Sequence, residues 1–146
     1  MNTNDTVRLL EQCNSGIKMG VDTIEGTMPN VQSGKLRSIL LKSKNEHQSL
    51  GSQTHELLNS IGLPYNEPSA TAKTMSWIKT NFNLFADSSD STVAELITDG
   101  CNMGIKSLNK YLNDYPNAKP ESIDIAHDLI NLEKKLALDV SPYLSL

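Results

Sequence analysis

Cys13-Asn14-Ser15-Gly16-Ile17-Lys18 returns, with one residue changed, as Cys101-Asn102-Met103-Gly104-Ile105-Lys106. Each copy sits in a stretch whose inward positions recur by threes and fours, the spacing of one helix face. Around the first copy these are Val7, Leu10, Asn14, Ile17, Val21, Ile24 and Met28; around the second, Val93, Ile97, Gly100, Gly104, Leu108, Tyr111 and Tyr115. The echo predicts two helical hairpins, each opened by a C-N-x-G-I-K helix and folded face to face.

The partner of the first repeat helix begins at Ser33-Gly34 and carries Leu36, Leu40, Ser43, His47, Leu50, Thr54, Leu57 and Ile61 on one face. Gly62-Leu63-Pro64 ends it, with Gly62 suited to the left-handed turn after the last helical residue. The partner of the second repeat helix follows Pro120, a residue favoured in a first helical turn, and offers Ile123, Ala126, Ile130, Glu133, Ala137 and Val140. Between the hairpins, Met75, Ile78, Phe82 and Phe85 mark a shorter amphipathic helix that also holds Trp77, and Asp87 to Asp90 supplies a polar break. No segment alternates like a strand. Four helices of roughly 20 to 27 residues would each span about 30–40 Å at the helical rise. Both hairpin loops are short, but the middle connection is long enough to travel the length of the bundle. The expected fold is all-α, a ferritin-like up-down four-helix bundle over residues 1–146 as a single domain, with one long crossover containing an extra short helix.

At 146 residues with 38% hydrophobic and 5% aromatic side chains, the chain has material for one mostly aliphatic core. The net charge of -4 and the lack of a Lys/Arg cluster argue against a nucleic-acid surface. No apolar run approaches the ~20 residues of a membrane span. Met1 to Asp5 is unlike a signal peptide, and the two cysteines read as reduced thiols. These features predict a cytoplasmic protein.

Three further stretches carry a resemblance. Met-Ser-Trp-Ile-Lys-Thr-Asn (75–81), Thr98 to Leu112 and Lys44 to Leu50 are similar to uncharacterised ferritin-like bundle proteins of Firmicutes, a domain-of-unknown-function group related to the ferritin superfamily. The resemblance covers nearly the whole chain and implies the four-helix bundle with its crossover helix, without implying an activity. Members of the wider superfamily hold two irons with a Glu from each of two helices and Glu-x-x-His from each of the others. Here Lys44, Ser52 and Asp124 stand three residues before His47, His55 and His127, so no Glu-x-x-His exists. Glu46 is followed by Ser49 and Glu133 by Leu136 at the histidine position.

The expectation is therefore a non-catalytic bundle without the di-iron site or any cofactor, serving a structural or protein-interaction role. It would self-associate as a homodimer or bind another protein, the Trp77 helix being the candidate surface. The alternative is a metal- or redox-linked stress protein with a depleted site built from Glu25, Glu46, His47 and Glu133, which requires those side chains to converge. A third reading is a small-molecule-binding bundle lined by Ser43, His47 and Thr54, which requires a cavity beside His47. His47 falls on an apolar stripe, either as a core imidazole satisfied by one hydrogen bond or as part of a polar pocket with Glu133 or Asn14. Cys13 and Cys101 hold equivalent places in the hairpins, as two small buried hydrophobes or as a facing redox pair. Asp124 and His127 read as solvated surface. Gly16, Gly20, Gly100 and Gly104 each cost about 1 kcal/mol relative to alanine in a helix interior, which calls for close approach of a backbone or a bulky side chain.

Overall fold

The computed structural model describes residues 3–68, 71–84 and 89–145. It is helical, with no strand among the described residues: α1 (Thr3–Thr27), α2 (Gly34–Ile61), α3 (Thr71–Leu84), α4 (Asp90–Asp114) and α5 (Pro120–Val140). A short 3-10 turn, Met28–Asn30, closes α1 where Pro29 cannot extend the α-helical ladder. Ser33 then starts α2, its hydroxyl accepting from the Leu36 amide at 3.2 Å. Gly62, with φ of 76°, ends α2 in the left-handed conformation that its sequence position predicts.

Helices α1 and α2 pack as one antiparallel hairpin and α4 and α5 as the other, with α1 against α4 and α2 against α5. Two polar contacts fix which ends meet. The Asp90 carboxylate, at the start of α4, accepts from the Gln32 and Ser33 amides just before α2, at 2.7 and 3.0 Å. Thr6, near the start of α1, accepts at Oγ1 from the Lys119 amide just before α5, at 2.8 Å. So α2 and α4 start at one end of the bundle and α1 and α5 at the other. The chain between α2 and α4 consequently runs the length of the bundle, and α3 lies along that path, packed on α1 and touching α4. Phe85, the Phe82 side chain, Asp87 and Ser88 lie outside the described residues.

The core has two clusters stacked along the bundle axis. One holds Leu9, Leu10, Cys13, Ile17, Leu50, Leu58, Leu108, Ala126 and Leu129. The other holds Ile24, Leu36, Leu40, Val93, Ile97, Cys101, Leu136 and Val140. The α2 stripe is buried as expected from Leu36 to Thr54, but near its end Leu58 is buried while Leu57 and Ile61 only flank the core. In α5, Ile125, Leu129 and Leu136 are buried, and Ile123 and Ala137 are peripheral.

The Asp90 contact holds the crossover in register by two charge-assisted hydrogen bonds. Asp90→Ala is expected to lower the urea-unfolding free energy by about 1–3 kcal/mol, and Asp90→Asn, which keeps an acceptor, by less. An unchanged midpoint for Asp90→Ala would contradict the role given to this contact.

Candidate functional site

Between the two apolar clusters lies a polar layer built from one residue of each long helix. His47 of α2 is completely buried, and Glu133 of α5 is 6% exposed. His47 Nε2 is 2.9 Å from Glu133 Oε1, and its Nδ1 is 2.8 Å from the Ser43 carbonyl oxygen one turn back, with the Ser43 hydroxyl at 3.4 Å. A backbone carbonyl can only accept, so Nδ1 carries a hydrogen. The carboxylate oxygen at Nε2 calls for a second. Burial pushes the His47 pKa down, but the Glu133 hydrogen bond and charge, the Ser43 carbonyl and the Glu46 charge outweigh it and hold the pKa above its ordinary value. Both ring nitrogens thus face oxygen acceptors, the Ser43 carbonyl and the Glu133 carboxyl group, an arrangement that favours the doubly protonated ring.

Two glycines complete the layer. A Cβ on Gly20 of α1 would stand 2.8 Å from His47 Nε2 and 2.9 Å from its Cδ2. A Cβ on Gly104 of α4 would meet the Glu133 carboxyl carbon at 3.7 Å. Glycine on α1 is thus the condition for an imidazole at this level. The repeat's own glycine in α1, Gly16, lies a turn away against Leu129, and at Gly100 a Cβ would enter open space. Of the four glycines expected to mark close approach, Gly20 does so against His47; none meets a backbone or Trp77. Gly26 joins it, its missing Cβ leaving room for Ile78 of α3.

The four metal candidates do not converge. Glu25 is exposed and paired with Lys44 at 3.1 Å, and Glu46 is paired with Lys135 at 3.4 Å on the surface. Only His47 and Glu133 meet, and the described residues contain no cluster of three or more His, Cys, Asp and Glu able to hold a metal ion. Asn14, the other partner considered for His47, donates instead to Glu67 at 3.2 Å. Glu67 also receives His55 at 3.0 Å, tying the link after α2 to the bundle. Asp124 and His127 are exposed.

The cysteines sit in different core clusters, both free, rather than facing one another. Burial pushes the Cys13 thiol up to about 12. Cys101 is also held well above the ordinary thiol range, by burial first and then by the nearby Glu133 carboxylate. Neither supplies a thiolate near neutral pH.

On the side of Glu133 away from α2, the bundle opens into a cavity of about 450 Å³ between α1 and α4 and beneath α3. Gly16 and Gly20 line one wall, Gly100 and Gly104 the other, and Glu133, Leu129 and Leu136 lie at the α5 side. From α3 come Thr74, Trp77 and Lys73. Thr74 is 5% exposed, and its hydroxyl has no hydrogen-bond partner among the described residues. Ser43 and Thr54, expected to line a pocket with His47, do not reach this cavity. Ser43 borders a separate surface groove of about 520 Å³ between α2 and α5, and Thr54 donates to the Leu50 carbonyl within α2. Sequence reasoning put Glu133 inside the bundle but missed Thr74 and the cavity. Thr74 stands one residue before Met75 of the expected α3 stripe, and Met75 is the more exposed of the two.

Comparison with family models, with curated proteins and with solved structures yields no match to this chain. No helix among the described residues is long and apolar enough to cross a membrane.

The layer predicts opposite signs for two identical substitutions. Gly100→Ala is expected to stabilise the protein by about 0.5–1 kcal/mol through helix propensity. Gly20→Ala is expected to destabilise it by about 1–3 kcal/mol, because the buried, doubly bonded imidazole cannot step aside. Thermal unfolding of the two variants side by side checks this, and equal effects would refute the packing described.

A pKa raised on folding stabilises fully below the unfolded value of about 6.5 and loses that contribution as pH rises through the folded value. The difference in unfolding free energy between the native protein and His47→Leu is therefore expected to shrink as pH rises above about 6.5. Denaturant titrations between pH 6 and 8 measure it, and a difference growing with pH would show a neutral histidine instead.

Proposed function

We propose that this protein is a non-catalytic, ferritin-like helical bundle that acts by binding a small apolar molecule in the cavity beneath α3. The carrying observation is that cavity. It falls within the ~300–1,000 Å³ typical of small-molecule sites, with mainly apolar walls and a few convergent polar groups. The two hairpins and the crossover running the full bundle length support the ferritin-like part of the reading. Against the depleted metal site stand Glu25 and Glu46, each engaged by a surface lysine. Against a scaffold that presents the Trp77 helix to a partner stands the use α3 makes of its own face, since Thr74 and Ile78 are buried in the bundle. Against nucleophilic or redox chemistry stand two cysteines held as buried thiols.

Trp77 is the single tryptophan of the chain and lines the cavity, so its fluorescence reports directly on occupancy. The uncharged probe N-phenyl-1-naphthylamine is expected to bind saturably, brighten and quench Trp77. Gly100→Leu, which projects a side chain into the cavity from a helix position with room for it, is expected to reduce that binding at least tenfold while keeping a cooperative melt. Binding unaffected by Gly100→Leu, or no saturable binding to the native protein, would reject the proposal.

A further inference from the structure

The cavity's polar groups specify what kind of molecule it takes, an inference that rests on the binding role proposed above. A carboxylate has about four acceptor positions and no donor. At Glu133 one of these is used, at Oε1, by the His47 Nε2–H. The remaining capacity belongs to a side chain that lines the cavity, and only a donor satisfies it. A ligand carboxylate at that point would meet like charge, and an ether or ketone would leave two acceptors facing each other in a low-dielectric interior. Glu133 Oε1 already faces His47 Nε2 at 2.9 Å, so a cationic ligand would have to compete with that ring for the carboxylate. Lys73, beside Thr74 on the same wall, adds a further positive charge against cations.

Thr74 supplies the second buried polar anchor: of the other polar side chains on the lining, Gln12 and Ser15 are half-buried, Ser107 is exposed and the Thr23 hydroxyl donates to the Met19 carbonyl. The unpartnered Thr74 hydroxyl both donates and accepts, so it serves whatever polar group sits at the α3 side of the ligand. The shape of the cavity is set by the walls. Gly16 on α1 and Gly100 and Gly104 on α4 line it without side chains, and Trp77 and Tyr111 add aromatic rings. Met19 and Met103, both among the exposed large apolar residues, border the same space with side chains that adapt to different ligands.

We infer that the cavity selects neutral, ring-bearing alcohols or phenols, whose hydroxyl donates to the Glu133 carboxylate while Thr74 holds the ligand from α3.

Isothermal titration calorimetry of the native protein at pH 7 with 2-naphthol, 2-methoxynaphthalene, 2-naphthoate and 2-naphthylmethylammonium tests this, alongside Glu133→Gln, Thr74→Val and Gly100→Leu. The expected result is that 2-naphthol binds about tenfold or more tightly than 2-methoxynaphthalene, the worth of one hydrogen bond to a charged acceptor. It should also bind more tightly than the two charged analogues. Gly100→Leu should abolish binding of all four. In Glu133→Gln, whose amide can turn its donor group to the cavity, the preference for 2-naphthol should fall below about threefold. Thr74→Val, which gives up no hydrogen bond among the described residues, should fold normally, leave 2-naphthol within about twofold and weaken naphthalene-2,6-diol, whose second hydroxyl can face α3, several-fold; equal affinity of the diol for both proteins would overturn the Thr74 anchor. This variant keeps the test decisive if the Gln variant is unfolded. Equal affinity for 2-naphthol and 2-methoxynaphthalene would overturn the donor selection and leave the cavity's binding role standing. Tightest binding of the ammonium would overturn the neutral class. Failure of all four to bind would reject the binding role itself.

Discussion

A fully buried histidine facing a buried glutamate at 2.9 Å is the interaction around which this bundle is arranged. Removing both charges from water costs several kcal/mol per ion, and their attraction offsets that only with close geometry and satisfied remaining hydrogens. His47 meets the condition by bonding at both nitrogens, one to Glu133 across the bundle and one to its own helix at Ser43. Glu133 meets it through the His47 Nε2 at 2.9 Å. The pair can exist only if α1 comes close without a side chain at its level, which Gly20 allows. One polar contact therefore constrains the axial register of α2 against α5 and the approach of α1 and α4.

The same layer separates two aliphatic clusters and gives the interior a polarity that leucines alone would lack. A continuous apolar core tolerates sliding of one helix past another, whereas a mismatched charge does not. The glycines that admit the pair also leave the space between α1 and α4 incompletely filled, and α3 covers it on the crossover path. The cavity and the polar layer thus share a cause, the absence of side chains on the two repeat helices where they flank Glu133.

Much of this was legible in the sequence. Periodicity located the helices and the all-α class, Gly62 and Ser33 marked the ends of α2, and the link between hairpins was read as long; the Asp90 contact places the start of α4 beside the start of α2. The stripes placed His47 and Glu133 inside, and the absence of Glu-x-x-His counted against a paired-metal site. Legibility failed where a strict alternation of threes and fours drifts from the true 3.6-residue turn. Late in the 28-residue α2 the buried face had moved from Leu57 to Leu58. It failed again for Glu25 and Glu46, since one position beside a stripe decides between the core and a lysine on the neighbouring helix. Cys13 and Cys101 are equivalent in the repeat yet occupy different clusters, because equivalent places on antiparallel helices lie at the same height only at the middle of the bundle. A cavity is a property of three helices and a covering fourth, which no single stripe encodes.

The central claim is the charge state of one ring, and nitrogen-15 NMR of the His47 imidazole at pH 7 tests it most directly. The account predicts that both ring nitrogens carry hydrogen, with the Nε2 proton shifted by its bond to Glu133 and that shift lost in Glu133→Gln. A neutral ring with a bare Nε2 at pH 7 would contradict it, making Glu133 the proton donor and the cavity's acceptor a carboxylic acid.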